Sequence, residues 1–488
     1  MIMTDQHRPD FSAGEGFPVD TMPTVDSLGE GGVRFCRAYT ASPVCLPARC
    51  SFLTGRFPGA HGLKANYCDR ARYEMDLVDV LNAAGYTTAL VGKDHTYRQG
   101  YRSGQCPAPP TAYNYWISDE ILRELAHPDP ALRAVQEDFE RWIEDLAHWV
   151  SDEPTPFPVG LQQPARVVDC AIELIKSLLR ERFYLFLGFD PPHNPYQVPE
   201  PYFSLFDPDE IPPPAADKDF LKERNFQWQF LRRLIEYYHP DPDRLIGRYR
   251  ANYCGMLRLI DDQVARLLEF LDKIGLRDET LILFTSDHSD FAGDYGLYRK
   301  GVGLPEDLVR IPMIWNGPGI VPRRTPCEAY VSLGDVLPTI CSMLGLEVPR
   351  GVQGRNLWPL LSGEGSCEEF RSMYVEKGVE GRPYGPEDDP PLYGGNFTLR
   401  TKTGAETFAE LNDVTETGKW KMVVKDGWKL IYDPYGRWEL YDLRSVVNLA
   451  YEARYRDKKE ELMEEMVRWD VHVGDLLPLK GYKPAREV

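Results

Sequence analysis

The sequence predicts an α/β protein in two parts. A large α/β/α domain with a mostly parallel central sheet spans residues 1–365, and a smaller domain with an antiparallel sheet and a terminal helix spans 366–488. Three observations carry this reading. Segments with apolar residues at helical spacing alternate with short apolar runs, as in strands buried on both faces of a parallel sheet. Several of these runs end abruptly in acidic, basic or histidine residues. After about Gly363 the pattern changes: two β-rich runs, Lys419 to Val424 and Trp428 to Tyr432, flank Lys425-Asp426-Gly427, a hairpin signal.

Taken in order, Met1-Ile2-Met3-Thr4 reads as the end of a strand, followed by Asp5-Gln6-His7-Arg8. Thr24 is placed to cap a short helix ending near Gly31. Asp76 to Ala84 reads as a helix, with Leu77, Val80 and Leu81 on one face, and Gly85 stops it. Tyr86 to Val91 is a strand, followed by Gly92-Lys93-Asp94-His95. Residues 107–165 are irregular and read as an insertion over the sheet edge; Tyr113-Asn114-Tyr115-Trp116 within it suits either stacking on a sugar ring or ordinary packing. Phe183 to Phe189 is a buried strand ending in Asp190-Pro191-Pro192-His193.

Arg244 to Ile274 is the clearest helix, with Leu257, Ile260, Val264, Leu267, Leu271 and Ile274 at 3.6-residue spacing. Thr280 to Thr285 is a strand leading into Ser286-Asp287-His288-Ser289-Asp290 and then a loop to Lys300. Ile311 to Trp315 is a further strand and Leu333 to Leu344 a helix. Trp438 to Leu443 adds a strand to the small domain, and residues 455–470 form its charged amphipathic helix.

Composition narrows the function. The chain has 488 residues, enough for a large core, and is 43% hydrophobic and 27% charged, as expected of a globular protein. Its net charge of −19 argues against a nucleic-acid binder, so any anion site must be locally positive. No apolar run approaches the roughly 20 residues that span a bilayer. The ten cysteines include no C-x-x-C pair and read as reduced thiols, which favours the cytoplasm; a signal segment upstream of Met1 would instead indicate the periplasm or secretion.

The stretch Cys45-Leu46-Pro47-Ala48-Arg49 reads as a loop running into a helix, closed by Gly55. Cys45 sits just before the helix start, where free N–H groups favour an anion, and Arg49 lies one turn on. A nucleophile, a positive helix end and a guanidinium suit a tetrahedral oxyanion. The bland alternative is a buried structural cysteine.

Cys45-x-Pro47-x-Arg49 followed by Thr54-Gly55-Arg56 resembles the signature of the type I sulfatases, a formylglycine-dependent family of the alkaline-phosphatase superfamily. Gly92-Lys93-x-His95, Pro192-His193-x-Pro195, Ser286-Asp287-His288 and Gly293-Asp294-x-Gly296-Leu297-x-x-Lys300-Gly301 resemble further blocks of that family, in its order, over roughly residues 1 to 345. Ser289 and Tyr295 depart from its usual Gly and His.

The resemblance implies that a formylglycine-generating enzyme oxidises Cys45 to an aldehyde whose hydrate attacks sulfur. Asp5, Gln6, Cys45, Asp287 and His288 would hold one divalent cation, Ca²⁺ by family practice, with Mn²⁺ or another transition metal compatible with His288. Arg49 and Lys93 would offset negative charge, Lys300 or His193 would protonate the leaving alcohol, and His95 would take the proton from the second hydroxyl. The substrate would be a carbohydrate, aryl or alkyl sulfate ester. The related phosphonate monoester and phosphodiester hydrolases share these motifs and are the enzymatic alternative. A metal-containing binding protein with an unmodified Cys45 is the non-enzymatic one. The oligomeric state stays open, a homo-oligomer included.

Overall fold

A computed structural model of the chain describes residues 1–66, 75–96 and 113–474. Eight strands build the main sheet: β1 (Ile2–Thr4), β2 (Val33–Tyr39), β3 (Thr87–Gly92), β4 (Tyr115–Ser118), β5 (Phe183–Gly188), β6 (Ile282–Ser286), β7 (Met313–Asn316) and β8 (Cys327–Ser332), in the order β4-β3-β5-β1-β6-β7-β2-β8. All run parallel except β7, which is antiparallel to both β6 and β2. The reason lies in the connection. Residues 287–312 carry no crossover helix that would return the chain to the opposite edge, so β7 starts where β6 ended and runs back. An apolar run does not encode its own direction.

Side-chain alternation along the strands divides the interior into two cores. Ile2, Ala89, Val91, Leu185, Leu187, Ile282 and Phe284 point to one face. Met3, Leu90, Phe186 and Leu283 point to the other. Helices cover both faces. Labelled in chain order, they are α1 (Pro23–Glu30), α2 (Cys45–Thr54), α3 (Leu77–Ala83), α4 (Gln163–Leu178), α5 (Phe226–Tyr238), α6 (Ile246–Lys273) and α7 (Val336–Leu344). α4, α5 and α6 bury their apolar stripes in the first core, and α2, α3 and α7 in the second. This is the three-layer arrangement predicted, and it brings the C-terminal ends of β3, β5, β1 and β6 side by side, where open α/β sheets bind ligands.

Three local expectations are corrected. α1 begins at Pro23 rather than after a Thr24 cap: the N–H groups of Thr24 and Val25 donate to the Asp261 carboxylate at 3.0 and 2.8 Å, so a residue of α6 satisfies the helix start. The irregular segment is partly inside the sheet, since β4 is its edge strand, and Trp116 on it donates to Asp94 at 2.7 Å. Cys45 is the first residue of α2, not the residue before it, with Val44 as cap; Pro47 and Gly55 (φ 64°) stand where expected.

Beyond residue 371, β9 (Ser372–Lys377), β12 (Trp420–Lys425), β13 (Trp428–Tyr432) and β14 (Trp438–Asp442) form a four-stranded antiparallel sheet, with β10 (Thr398–Arg400) and β11 (Glu406–Phe408) paired beside it. The β12–β13 turn has Asp426 and Gly427 both at positive φ (50° and 80°), which matches the right-handed strand twist. Helix α8 (Arg456–Val473) packs on this sheet through Leu462, Met466, Trp469 and Val473. The eight cysteines among the described residues are free. Among the described residues no helix is long and apolar enough to cross a membrane.

Candidate active site

Asp5 follows β1, Lys93 follows β3, Asp190 and His193 follow β5, and Asp287 and His288 follow β6, so the parallel core of the sheet delivers them to one edge. Helix α2 delivers Cys45 and, one turn later, Arg49. All ten positions of α2 are buried, which fixes both side chains.

Four ligand atoms, from Asp5, Cys45, Asp287 and His288, lie within 4.8 Å of one another, all buried. Cys45 Sγ is 3.1 Å from His288 Nε2 and 3.8 Å from Asp5 Oδ1. His288 Nδ1–H donates to the Ser289 carbonyl at 2.9 Å, which leaves Nε2 as the nitrogen facing Cys45. Two carboxylates, an imidazole and residue 45 are a donor set that fits a divalent cation.

Cations surround this cluster. Arg49 spans the two acids, with Nε 2.8 Å from Asp287 and a terminal nitrogen 2.9 Å from Asp5. Lys93 Nζ sits 2.9 Å from Asp5 and 2.6 Å from Asp190. Lys300 Nζ donates to Gln6 Oε1 at 2.5 Å. These three cations are set against the carboxylates of Asp5, Asp190 and Asp287, and a divalent cation in the cluster would add the positive charge that an anion site requires. Burial raises the Asp5 carboxyl, but Lys93, His193, Arg49 and His288 together hold it well below the usual range. Asp287 is pushed up to about 6 by burial and by Asp5, the repulsion that a cation between the two would relieve. Burial and Asp5 push the Cys45 thiol up, and Lys300 and His288 outweigh them, so it lies well below an ordinary thiol.

Gln6 stands at the edge of the cluster with φ 62°. Its Nε2 donates to Asp290 at 2.5 Å, and Asp290 also accepts from Tyr196 at 2.6 Å and from Tyr249. His193 Nδ1–H donates to the Asn194 carbonyl at 2.9 Å, and burial with Lys93 and Lys300 lowers its pKa to about 4, so it is neutral at pH 7. Lys300 keeps its proton: burial opposes the charge, but Cys45, Glu410 and Asp5 raise its pKa. His95 is half-buried at φ 39° and makes no hydrogen bond into the cluster among the described residues.

The sequence reading missed two members. Asp190 directly follows the apolar run of β5, the same signal that singles out Asp5 and Asp287. Glu410 lies just beyond β11 and meets Arg299 at 3.2 Å and Lys300 at 3.6 Å, and no local pattern marks it. Of the two family departures, Ser289 Oγ donates to the His7 carbonyl at 2.8 Å, and Tyr295 packs edge-on against Trp228, away from Cys45.

The family model described as Sulfatase matches residues 1–346. The chain belongs to the sulfatase family, a class of sulfuric ester hydrolases. It is 27% identical to the arylsulfatase of Clostridium perfringens over 75% of this chain and 78% of that one. It is 26% identical to the uncharacterized sulfatase YidJ of Escherichia coli over 99% and 88%. The fold is that of the phosphonate monoester hydrolase of Silicibacter pomeroyi, with TM-score 0.78 and 20% identity over 97% of this chain and 94% of that one.

Proposed function

We propose that this protein hydrolyses sulfate esters through residue 45 matured to formylglycine, with one divalent cation in the buried cluster. The observation that carries the reading is the pair Asp5 and Asp287, 282 positions apart in the sequence yet bridged by Arg49 beside Cys45 and His288. Asp5, Asp287, His288 and residue 45 would hold the cation, with Gln6 Oε1 as a further oxygen. A hard cation such as Ca²⁺, or Mn²⁺ given the imidazole, would supply Lewis acidity toward the sulfate oxygens.

The chain's own groups do the rest. Arg49 fixes the two carboxylates in place and offsets charge beneath the nucleophile. Lys93 and Lys300 hold the sulfate from two sides. One hydroxyl of hydrated residue 45 passes its proton to the neighbouring Asp5 carboxylate and attacks sulfur as the S–O bond to the alcohol breaks, and Lys300 gives the departing oxygen its proton. Neutral His193 suits accepting a hydrogen bond better than donating a proton in the resting enzyme. His95 then takes the proton of the second hydroxyl, the C–O bond to sulfate breaks, and the aldehyde returns. Maturation requires a formylglycine-generating enzyme as partner.

The test is a paired assay of the matured, metal-loaded enzyme on 4-nitrophenyl sulfate and on a phenylphosphonate monoester. Sulfate turnover with the higher kcat/KM is the expected result. Turnover of the phosphonate ester alone would overturn the reading in favour of a phosphonate monoester hydrolase.

A further inference from the structure

The stretch after β6 ends in a residue that the chemistry above does not use. Asp290, three positions beyond Asp287, is fully buried, and among the described residues it meets donors rather than a cation. Its Oδ1 accepts from the Tyr249 hydroxyl and from the Ala292 N–H at 2.8 Å. Its Oδ2 accepts from the Tyr196 hydroxyl at 2.6 Å and from Gln6 Nε2 at 2.5 Å. An ionised carboxylate offers about four acceptor sites and no donor, so these four donors match it completely.

Gln6 is held at its backbone as well. At φ 62° its N–H donates to Asp287 Oδ1 at 3.3 Å and its carbonyl accepts from the Tyr253 hydroxyl at 2.5 Å, and its side chain is fully buried. One freedom matters for the site: a half-turn of the terminal amide, which exchanges oxygen for nitrogen. The two neighbours of the amide decide it. Asp290 only accepts, and Lys300, whose Nζ donates to Gln6 Oε1 at 2.5 Å, only donates. The amide therefore stands with its nitrogen on Asp290 and its oxygen on Lys300, at the edge of the cation cluster. Reversed, it would set an oxygen against a carboxylate and an N–H against an ammonium group.

Resting on the cation reading above, we infer that Asp290 is a positioning residue: through the Gln6 amide it fixes an oxygen, and not a nitrogen, as the atom that residue 6 presents to Lys300 and the cation. The same contact accounts for an amide at position 6. A carboxylate there would face Asp290 with no donor between two buried like charges.

The experiment moves the negative charge across this hydrogen bond. Asp290→Asn replaces one carboxylate oxygen by an NH₂ group. The Ala292 N–H cannot accept, so it keeps the remaining oxygen on its side, and the NH₂ group faces Gln6, donor against donor. Adding Gln6→Glu restores the match with no change in heavy-atom number or total charge. Chelator-stripped, matured wild type and both variants are titrated with Ca²⁺ and with Mn²⁺ by equilibrium dialysis, bound ion being measured by elemental analysis. Asp290→Asn should raise the cation Kd about tenfold or more, the range for losing a group that orients a metal ligand. The double variant should recover most of that loss, and kcat/KM on 4-nitrophenyl sulfate should follow the same order. A Kd unchanged in Asp290→Asn overturns the inference. So does a double variant that binds no tighter than Asp290→Asn, because a purely structural role makes two substitutions worse than one. Wild type that binds neither ion overturns the cation reading itself. Should Asp290→Asn fail to fold, recovery of folded, cation-binding protein in the double variant carries the same conclusion. A double variant that also fails to fold makes Asp290 structural and overturns the inference.

Discussion

Glu410 Oε1 lies 3.6 Å from Lys300 Nζ, so a carboxylate from the segment after β11 supports the proton donor proposed for the loop after β6. Arg299, 3.2 Å from the same carboxylate, shares it. Burial raises the Glu410 carboxyl, but Arg299 and Lys300 outweigh it and bring it from 4.5 down to about 2. Glu410→Gln leaves two buried cations short of one countercharge and should cost about 3 kcal/mol of stability at neutral pH. Because the folded pKa is the lower one, this stabilisation is complete above about 4.5 and is lost as pH falls toward 2. Urea unfolding should therefore separate wild type from Glu410→Gln at neutral pH, with the gap narrowing steadily below about pH 4.5. A gap that stays constant would place the ion pair elsewhere.

Removal of the proton donor itself should depend on the leaving group. Lys300→Ala is expected to slow alkyl sulfates by about 10²–10⁴-fold, the usual range for a positioned acid. Nitrophenyl sulfate, whose phenolate departs without a proton, should fall far less. The ratio of the two rates is the readout, and an equal fall for both would reassign Lys300 to sulfate binding alone.

These predictions show where the sequence was informative. Asp5 and Asp287 stood out because each follows an apolar run and falls in a stretch that resembles the family, whereas Asp190 follows such a run outside the matching Pro192-His193-x-Pro195 block. Cys45 and Arg49 were legible through the Cys45-x-Pro47-x-Arg49 motif and its family resemblance, with helical spacing that puts them on one face. Glu410 was not, because its role exists only once the chain has folded 111 positions back onto Arg299. Thr24 failed as a cap for a similar reason: the Asp261 carboxylate, 237 positions away, supplies the acceptor that a local side chain normally provides. The reversed β7 depended on the path of residues 287–312, which composition does not record.

The cation should bind through both carboxylates together. Asp287→Ala is expected to lose metal and turnover in parallel, measured by elemental analysis of the purified protein beside its activity. Chelation of the wild type should abolish turnover, and added Ca²⁺ or Mn²⁺ should restore it. Full metal content with undiminished turnover in Asp287→Ala would defeat the assignment.

The close approach of β3 and β5 sets where Lys93 points. A Cβ on Gly188 would meet the Lys93 carbonyl oxygen at 2.1 Å, and one on Gly92, itself at φ 93°, would meet the Gly188 carbonyl at 2.2 Å. Neither backbone has room to yield cheaply. Gly188→Ala should lower stability by about 1–3 kcal/mol through overpacking. It should also displace Lys93 from Asp5, so turnover falls even in protein that remains folded. Wild-type melting and wild-type kcat/KM together in Gly188→Ala would contradict this packing.

The final prediction concerns residue 45, on which the proposed chemistry turns. A thiol or a serine hydroxyl attacks sulfur once, and the resulting ester has no neighbouring hydroxyl to expel sulfate. A hydrated aldehyde has one, so its C–O bond breaks without water attacking sulfur. Active protein should therefore carry an aldehyde at position 45, visible by mass spectrometry of the peptide Ala38 to Arg49. Protein made without the maturation enzyme should keep the thiol and fold normally, since Cys45 is buried beside His288 and Asp5 in that form. It should be nearly inactive. Cys45→Ser should react at most once and remain sulfated, giving a single burst equal to the enzyme concentration. Continued turnover by Cys45→Ser at the wild-type rate would show that release does not need the second hydroxyl, and the formylglycine mechanism would fall.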